Sequence, residues 1–197
     1  MNNYKNHFIY INNIKCECKA CGILPFTIIE NKLYFLLQKD KKNIYSDFGG
    51  KRELYDTDYI KTASREFAEE TNGFFFNINE KLINNSNEKL INNNIKKSAI
   101  IIDSIIRYNK PLYLYNYIGK YLIYLLEIPA MNPANLGKYE INNVNNCYRS
   151  CNWIEYNKLL NNNFIKNNIS FRLKKGIIHI INKLLIKLKK ENIIIIN

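Results

Sequence analysis

Two short stretches of this chain, FGGKRE at residues 48–53 and REFAEE at residues 65–70, decide its fold. If the second stretch is helical, Glu66, Glu69 and Glu70 stand at positions i, i+3 and i+4 and therefore share one helix face. Such close carboxylates repel one another, at a cost of about 0.2–0.5 kcal/mol per exposed pair, unless a cation neutralises them. Carboxylate oxygens are the hard ligands that Mg²⁺ and Mn²⁺ prefer, so the pattern indicates a divalent-metal site.

Together the two stretches resemble the signature of the Nudix hydrolase family: Gly, five residues, Glu, seven residues, then Arg-Glu-apolar-x-Glu-Glu-x-Gly-apolar. Gly50 fits the first glycine, Asp56 stands at the position of the spaced Glu, and residues 65–70 match the core without a substitution. Eight residues rather than seven separate Asp56 from Arg65, and Asn72 replaces the closing glycine. The extra residue can lie in the loop before the helix, and Asn tolerates the left-handed end of a helix better than other non-glycine residues.

The resemblance implies a site that binds Mg²⁺ or Mn²⁺ as a cofactor. Glu69 and Glu70 look like its principal ligands, and Glu66 looks like a further ligand or the base that activates the attacking water. Gly50 is expected to offer its carbonyl oxygen, because glycine lets the backbone come close to an ion. Hydrolysis of a diphosphate needs a cation at the non-bridging oxygens, a water nucleophile and a group that accepts its proton.

Arg65 is a further candidate catalytic residue. By the resemblance it is expected to pair with a motif carboxylate, Glu53 or Asp56, and so to fix the orientation of the glutamates. A plain salt bridge without a catalytic role is the alternative explanation for the same residues.

Two other pairs of residues are candidates for substrate binding and for proton transfer. Lys51 and Arg52 would contact substrate phosphates, or else they are exposed loop charges. Many Nudix hydrolases recruit a downstream carboxylate as general base. Glu140, in the loop before Trp153, is the candidate for that role, with Glu127 as its rival.

The composition indicates either a protein that binds polyanions or an AT-rich gene. The chain has 197 residues, with 29 Lys and Arg against 17 Asp and Glu and a net charge of +12. Such an excess attracts RNA or highly phosphorylated small molecules. Asn, Ile, Lys and Tyr are all abundant, which is typical of AT-rich coding sequence such as that of a large DNA virus or of an AT-rich protist or bacterium. Genome composition is therefore an alternative source of the lysines.

The chain is expected to form a single cytoplasmic domain. With 47% hydrophobic residues it is long enough for one core. We assign residues 16–197 to that domain, with an N-terminal extension at residues 1–15 and a low-complexity insertion around residues 77–97. No signal peptide is recognisable, and no apolar run approaches the roughly 20 residues that a membrane span needs.

Five cysteines without secretory context predict reduced thiols rather than a disulfide framework. Cys16, Cys18 and Cys21 form a Cys-x-Cys-x-x-Cys cluster. Cys147 and Cys151 would complete a zinc site if the two segments met in space. Whether these cysteines bind zinc stays open at this point.

The apolar runs predict an α/β fold. A hairpin is expected over residues 22–29 and 33–38, and a helix is expected to begin at Thr57 or Asp58. Further strands and a C-terminal amphipathic helix are expected, in chain order, at residues 99–106, 112–117, 121–128 and 173–188.

The C-terminal part of the chain adds to the resemblance. After a loop over residues 130–149, the segment around Trp153 is similar to the stretch that follows the last core strand of many Nudix domains and leads into their final helix. The expected fold is therefore a Nudix-like α/β/α sandwich with a mixed central sheet and a C-terminal amphipathic helix.

The leading expectation for function is a pyrophosphohydrolase that acts on phosphoric anhydride bonds. Its substrate would be a nucleotide or another phosphorylated molecule, with capped RNA, as in RNA decapping, or a dinucleoside polyphosphate preferred. Diphosphoinositol polyphosphates would also suit a basic cleft. A non-catalytic Nudix-like module that binds a nucleotide or RNA is the main alternative, and a zinc-stabilised RNA-binding protein is the third. No membrane partner is expected, and the sequence leaves the oligomeric state open.

Overall fold

The computed structural model describes residues 7–76, 88–129, 139–142, 148–191 and 193. Over these residues the chain has an α/β fold of helices and a mixed sheet. Its strands are β1 (His7–Ile11), β2 (Ile14–Cys18), β3 (Ala20–Ile29), β4 (Lys32–Lys39), β5 (Tyr45–Ser46), β6 (Phe48–Lys51), β7 (Tyr113–Asn116), β8 (Tyr121–Glu127), β9 (Tyr139–Asn142) and β10 (Tyr148–Glu155). Its helices are α1 (Tyr59–Glu70), α2 (Glu88–Asn109), α3 (Tyr156–Leu159), α4 (Asn162–Asn168), α5 (Phe171–Lys174) and α6 (Ile177–Lys190), and a 3₁₀ turn covers Phe74–Phe76.

The chain divides into two compact units. The first consists of Met1–Ile23, Phe48–Pro111 and Tyr115–Tyr124, and the second of Leu24–Asp47, Leu112–Leu114 and Leu125–Asn197. Strands β3, β7 and β8 contain residues of both units. The single domain expected over residues 16–197 stays a prediction. Within the described ranges, every helix is too short or too polar to traverse a lipid bilayer.

The first unit begins with a separate two-stranded hairpin. β1 and β2 pair antiparallel, with Ile11 opposite Ile14. Asn12 and Asn13 form the turn at φ values of 48° and 65°, a left-handed pair that Asn tolerates better than most side chains. The described part of the expected extension, residues 1–15, is therefore a hairpin, and the Asn-Asn pair between two isoleucines is the signal that was missed.

Helix α1 begins where the sequence predicts. Asp58 is its N-cap, and its Oδ1 atom accepts a hydrogen bond from the backbone N–H of Lys61 at 2.9 Å. Ala63, Phe67 and Ala68 are fully buried on one side of the helix. Glu66 and Glu70 border this buried side, since Glu70 accepts from the N–H of Gly49 and the Glu66 carboxylate lies beside Gly50.

Helix α1 ends in a left-handed pair of residues. Asn72 has a φ of 51° and Gly73 a φ of 69°. The N–H of Gly73 donates to the carbonyl oxygen of Ala68 at 2.8 Å, which satisfies a carbonyl of the last helical turn. Asn72 thus adopts the conformation expected of it at the position of the closing glycine.

The strand predicted at residues 99–106 is wrong, because these residues lie inside α2, a helix of 22 residues. Ser98, Ile102 and Ile106 are buried at steps of four, whereas Ile100 is exposed, so burial follows the helical period. β-Branched residues prefer strands only weakly, and packing against neighbouring elements overrides that preference.

The predicted insertion around residues 77–97 is helical in part. Residues 88–97 belong to α2, and residues 77–87 lie outside the described residues. The Nη2 atom of Arg107, in the last turn of α2, donates to Oδ2 of Asp58 at 2.8 Å. This contact joins α2 to the N-cap of α1.

In the second unit, the hairpin of β3 and β4 has the predicted position. Glu30 and Asn31 form its turn at φ values of 51° and 60°. β10 pairs antiparallel with β4, with Trp153 opposite Leu36. The Trp153 segment is therefore itself a strand rather than the stretch after the last strand, and α3 follows it directly.

The order of hydrogen-bonded strands in the larger sheet is β7-β8-β3-β4-β10-β9, with β5 paired to β4 and β6 paired to β3. β9 lies inside the loop predicted at residues 130–149 and pairs antiparallel with β10. The loop prediction is wrong for β9 and for the first residues of β10.

The C-terminal amphipathic helix is present as α5 and α6. Leu173 of α5 is buried, and the buried residues of α6 are Ile177, Ile180, Ile181, Leu184 and Leu188. A Cβ at Gly176, between the two helices, would overlap the side chain of Leu114. A larger residue at this junction would therefore make the Leu114 side chain shift.

An ion pair links α5 to the segment before β6 within the second unit. The Nε atom of Arg172 donates to Oδ1 of Asp47 at 2.9 Å, and its Nη2 atom donates to the carbonyl oxygen of Asp47 at 2.8 Å. The amide of Gln38 donates to the same carbonyl oxygen at 2.7 Å. The carbonyl of a buried aspartate is thereby satisfied by two side chains.

Candidate active site

Gly49 and Gly50 of β6 let other groups approach the strand where a side chain would otherwise stand. A Cβ at Gly49 would overlap Tyr121 Oη and the backbone of β3. The N–H of Gly49 donates to Oε2 of Glu70 at 2.7 Å. A Cβ at Gly50 would lie 2.5 Å from both carboxylate oxygens of Glu66. Glycine is required at position 49 by close backbone contacts, whereas a side chain at position 50 would displace the Glu66 carboxylate.

The guanidinium of Arg65 holds three carboxylates of the site. Its Nη1 atom donates to Oε1 of Glu66 at 2.9 Å and to Oε2 of Glu69 at 3.0 Å. Its Nη2 atom donates to Oδ2 of Asp56 at 2.9 Å and to the carbonyl oxygen of Lys51 at 2.9 Å. Arg65 therefore connects two glutamates of α1 with β6 and the loop that follows it.

Asp56 anchors this loop, and it is the partner of Arg65 that the sequence left open between Glu53 and Asp56. Its side chain is 0% exposed, against 12% for Arg65. The backbone N–H of Glu53 donates to Oδ2 of Asp56 at 2.9 Å, and Nη2 of Arg52 donates to the Asp56 carbonyl oxygen at 2.9 Å. Burial raises the pKa of Asp56, but the hydrogen bonds from Arg65 and Glu53 outweigh burial and hold this pKa below its ordinary value.

Glu66 is a carboxyl group of this site whose pKa lies above its ordinary value. Burial is the largest cause, and Arg65 lowers the pKa without cancelling that effect. The negative charges of Glu69 and Asp56 raise the pKa further. A carboxyl group with a raised pKa exchanges its proton closer to neutral pH, which suits a general base.

Negative charge exceeds positive charge in this cluster. Asp56, Glu66 and Glu69 share the guanidinium of Arg65, and Glu70 adds a fourth carboxylate on the N–H of Gly49. Carboxylates at such short separations attract a further cation.

The donor atoms of the site are oxygens, the type of ligand that a hard divalent cation binds. The three motif glutamates and the carbonyl of Gly50 offer oxygen atoms, and the missing side chain at Gly50 lets the Glu66 carboxylate approach the strand. Within the part of the chain that the structure describes, no three Asp, Glu, His or Cys side chains form a metal-holding group. Glu66 and Glu69 are turned toward Arg65 instead. The metal site stays a prediction.

Lys51 and Arg52 differ in their surroundings. The side chain of Lys51 is exposed, and its carbonyl oxygen accepts from Arg65. The guanidinium of Arg52 is bonded to the Asp56 carbonyl oxygen, through Nε at 3.0 Å and Nη2 at 2.9 Å, so it holds the loop together. Substrate binding by either residue stays a prediction.

The two candidates for a downstream general base belong to the second unit. Glu140 lies in β9 opposite Ser150, and its side chain is outside the described part of the chain. Glu127 ends β8 and is exposed. Their assignment as general base stays a prediction.

The sequence singled out the cysteines but not which two are neighbours. The Sγ atoms of Cys18 and Cys21 lie 3.3 Å apart, and both thiols are buried and reduced. The hydrogen bond with Cys21 lowers the pKa of Cys18, while burial raises that of Cys21. Cys147, needed for the expected zinc site, lies outside the described residues.

No protein-family model matches the chain. It is similar to an uncharacterized protein of Acanthamoeba polyphaga mimivirus, with 38% identity over 66 residues. That similarity covers 30% of this chain and 21% of the length of the mimivirus protein. It therefore relates a part of each protein.

Proposed function

We propose that this chain is a Nudix hydrolase that cleaves a diphosphate linked to another group, with Mg²⁺ or Mn²⁺ as its cofactor. One observation carries the proposal: the carboxylate of Glu66 occupies the space beside Gly50 that a side chain would fill. Glu69 shares the same nitrogen of Arg65 with Glu66. The spaced glycine and the helical glutamates, separate in sequence, are thus neighbours.

The proposal divides the work among these residues. A bound cation would neutralise the non-bridging oxygens of the diphosphate. Glu69 and Glu70 are the carboxylates that would hold it, and Glu66 accepts the proton of the attacking water, a role for which its raised pKa is suitable. Arg65 keeps the glutamates in one orientation through Asp56, whose lowered pKa keeps it ionised.

The proposal extends to the fold and the substrate. The finer fold is a Nudix-like α/β/α sandwich, and the compartment is the cytoplasm. Capped RNA or a dinucleoside polyphosphate is the preferred substrate, because a net charge of +12 attracts a phosphate-rich ligand. Diphosphoinositol polyphosphates are the alternative substrate class, since they are also strongly negative and contain the same type of bond.

A hydrolysis panel tests this function. The full chain is incubated with Mg²⁺ or Mn²⁺ and with capped RNA, dinucleoside polyphosphates, nucleotide sugars, nucleoside triphosphates and diphosphoinositol polyphosphates. Glu69→Gln is run in parallel. Glu53→Gln is the matched control, because Glu53 is an exposed acid in the loop between β6 and α1.

We expect one substrate class to be cleaved by the wild type and by Glu53→Gln, with at least about a 100-fold lower rate for Glu69→Gln. Equal rates for all three proteins would assign the activity to a contaminant or to another site. No cleavage by any of them, with a nucleotide or RNA still bound, would favour the non-catalytic module.

A further inference from the structure

Cys18 and Cys21 have no part in the proposed hydrolysis, yet their arrangement is that of a dithiol. Cys18 begins and Cys21 ends the segment Cys-Lys-Ala-Cys, a Cys-x-x-Cys spacing that is typical of redox-active pairs. Their Sγ atoms are 3.3 Å apart, and a disulfide bond requires about 2.05 Å. A shift of the two side chains and the short segment between them would therefore bring the sulfurs to bonding distance.

The same segment is paired with the strand that carries the glycines of the site. Cys21 lies opposite Gly50 in the pairing of β3 with β6. The carbonyl oxygen of Cys21 is among the atoms that a Cβ at Gly49 would overlap, so the two backbones are in close contact. The carbonyl oxygen of Lys19 accepts from the N–H of Arg52 at 3.4 Å. A change in the backbone between the cysteines is thus transmitted to β6 and to the start of the next loop.

We propose that Cys18 and Cys21 form a reversible disulfide by exchange with a low-molecular-weight disulfide, and that its formation displaces Gly49 and Gly50. The first half concerns the cysteines alone. The displacement of Gly49 and Gly50 would also alter hydrolysis, and this consequence rests on the proposed function. This makes the pair a modification site that controls the position of the Glu66 and Glu70 carboxylates.

The disulfide forms in two exchange steps. The Cys18 thiolate attacks one sulfur of the small disulfide, forms a mixed disulfide, and releases one thiolate that takes up a proton from water. Cys21 then loses its proton and attacks Sγ of Cys18, which forms the Cys18–Cys21 bond and releases the second small thiol. The two cysteines give up two electrons and two protons, and the small disulfide is reduced to two thiols. The hydrogen bond with Cys21 lowers the pKa of Cys18, which supports Cys18 as the attacking group.

Access to the pair is through the hairpin of β1 and β2. Cys18 is 5% exposed and Cys21 is 2% exposed, so the reagent needs a local opening. Cys18 is the last residue of β2 and pairs with His7, the first residue of β1. A separate two-stranded hairpin opens more readily than the centre of a larger sheet. We therefore expect slow oxidation of the folded protein.

The test equilibrates the full chain in glutathione buffers of increasing oxidised fraction, followed by acid quench, alkylation and peptide mass mapping. Cys16→Ser is the matched control, because Cys16 lies on the same strand as Cys18 and is also buried. Cys18→Ser and Cys21→Ser each leave one thiol of the pair.

In the wild type and in Cys16→Ser, we expect Cys18 and Cys21 to lose alkylation together and to appear in one peptide that is lighter by two hydrogens. In each single serine variant, we expect the remaining thiol to end as a mixed disulfide with glutathione or to stay reduced. Two thiols that stay alkylatable in the most oxidising buffer would overturn the proposal. So would stoichiometric zinc that blocks both thiols in the purified protein.

Hydrogen exchange of residues 48–52 tests the coupling between the Cys18–Cys21 disulfide and β6 independently of any hydrolase activity. We expect exchange in that segment to change on oxidation of the wild type and to stay unchanged in Cys18→Ser. If the disulfide forms and this exchange changes but no substrate is cleaved, the proposed function fails and the inference stands. If hydrolysis is found and its rate is equal in the oxidised and reduced proteins, the control of the site is disproved.

Discussion

Two fully buried aspartate side chains, one in each unit, pair with arginine in different ways. Asp47 and Arg172 join at 2.9 Å, and Asp56 and Arg65 also join at 2.9 Å. Arg172 directs its second hydrogen bond to the carbonyl oxygen of the same aspartate. Arg65 divides its hydrogen bonds among Asp56, two glutamates and a backbone carbonyl.

The difference separates an ion pair that holds structure from one that organises a site. In the Asp47 pair, Arg172 donates to the carboxylate and to the carbonyl oxygen of one residue and links positions that are 125 apart in sequence. In the Asp56 cluster, one guanidinium faces three carboxylates, so negative charge is left over. A protein that only needed to fasten α1 to the loop would gain nothing from this excess, because like charges destabilise one another. In the proposed function, a bound cation would balance this excess.

The largest expected effect is on activity, from Glu66→Gln. In the proposed reaction Glu66 accepts the proton of the attacking water, so we expect hydrolysis to fall by about 10²–10⁴-fold. Folding stability should stay equal or rise at neutral pH. The pKa of Glu66 is higher in the folded than in the unfolded protein, so the free energy of unfolding falls as the pH rises from the unfolded pKa through the folded one. Glutamine has no carboxyl proton to lose, which abolishes this fall.

Single-turnover rates and urea unfolding of the same preparation check this prediction. Asp47→Asn is the control from the other pair, and it should lower stability while the folded fraction keeps its rate. A Glu66→Gln protein that is both active and less stable would make this glutamate a structural residue.

The next effect concerns the adjacent glycines. In Gly50→Ala the new methyl group displaces the flexible Glu66 carboxylate, so we expect about a 100-fold lower rate with near-normal stability. In Gly49→Ala the methyl group meets the backbone of β3, which cannot move away, so we expect a loss of about 1–3 kcal/mol or more in unfolding free energy. Thermal unfolding and rate measurements on both variants check this contrast. Equal behaviour of the two would remove the distinction between a structural and a functional glycine.

A smaller effect separates the two aspartates themselves. Asp47→Asn is expected to lower the unfolding free energy by about 1.5–3 kcal/mol, because Arg172 loses its carboxylate. Asp56→Asn is expected to cost less, since Arg65 keeps Glu66 and Glu69 as partners. Denaturant titration at pH 7 measures both. A greater loss from Asp56→Asn would mean that the excess charge of the cluster does not exist in solution.

The smallest effect is the pH dependence of the Asp56 contribution. Its folded pKa is lowered, so its ionised form contributes stability that is fully present above the unfolded pKa of about 3.9. That contribution is lost as the pH falls through the folded pKa. The stability difference between the wild type and Asp56→Asn should therefore shrink below pH 4 in acid-dependent unfolding. A difference that stays constant to the lowest pH would show that Asp56 has no perturbed titration.

Local patterns in the sequence predicted the parts of the fold that local chemistry determines. The cap at Asp58, the left-handed Asn72 and the first hairpin of the second unit all follow from side-chain chemistry over a few residues. The run at residues 99–106 was misread, because β-branched residues occur in both structures and only tertiary packing selects the helix.

The candidate site was predictable in its membership but not in its contacts. The motif spacing placed Gly50, Asp56 and Arg65 together and left the partner of Arg65 open between two acids. The close approach of Cys21 to Gly49 depends on strand register over 28 positions of sequence, which no local pattern encodes. The proximity of Cys18 and Cys21 occurs across the one-residue break at Lys19 between β2 and β3.

Mn²⁺ titration followed by electron paramagnetic resonance measures whether the excess of carboxylates around Arg65 binds a divalent cation, as proposed. The wild type and Glu53→Gln should remove free Mn²⁺ from the spectrum with equal saturable affinity, and Glu69→Gln should bind at least about tenfold more weakly. Equal affinity in all three proteins, or no saturable binding by the wild type, would disprove the proposed metal site.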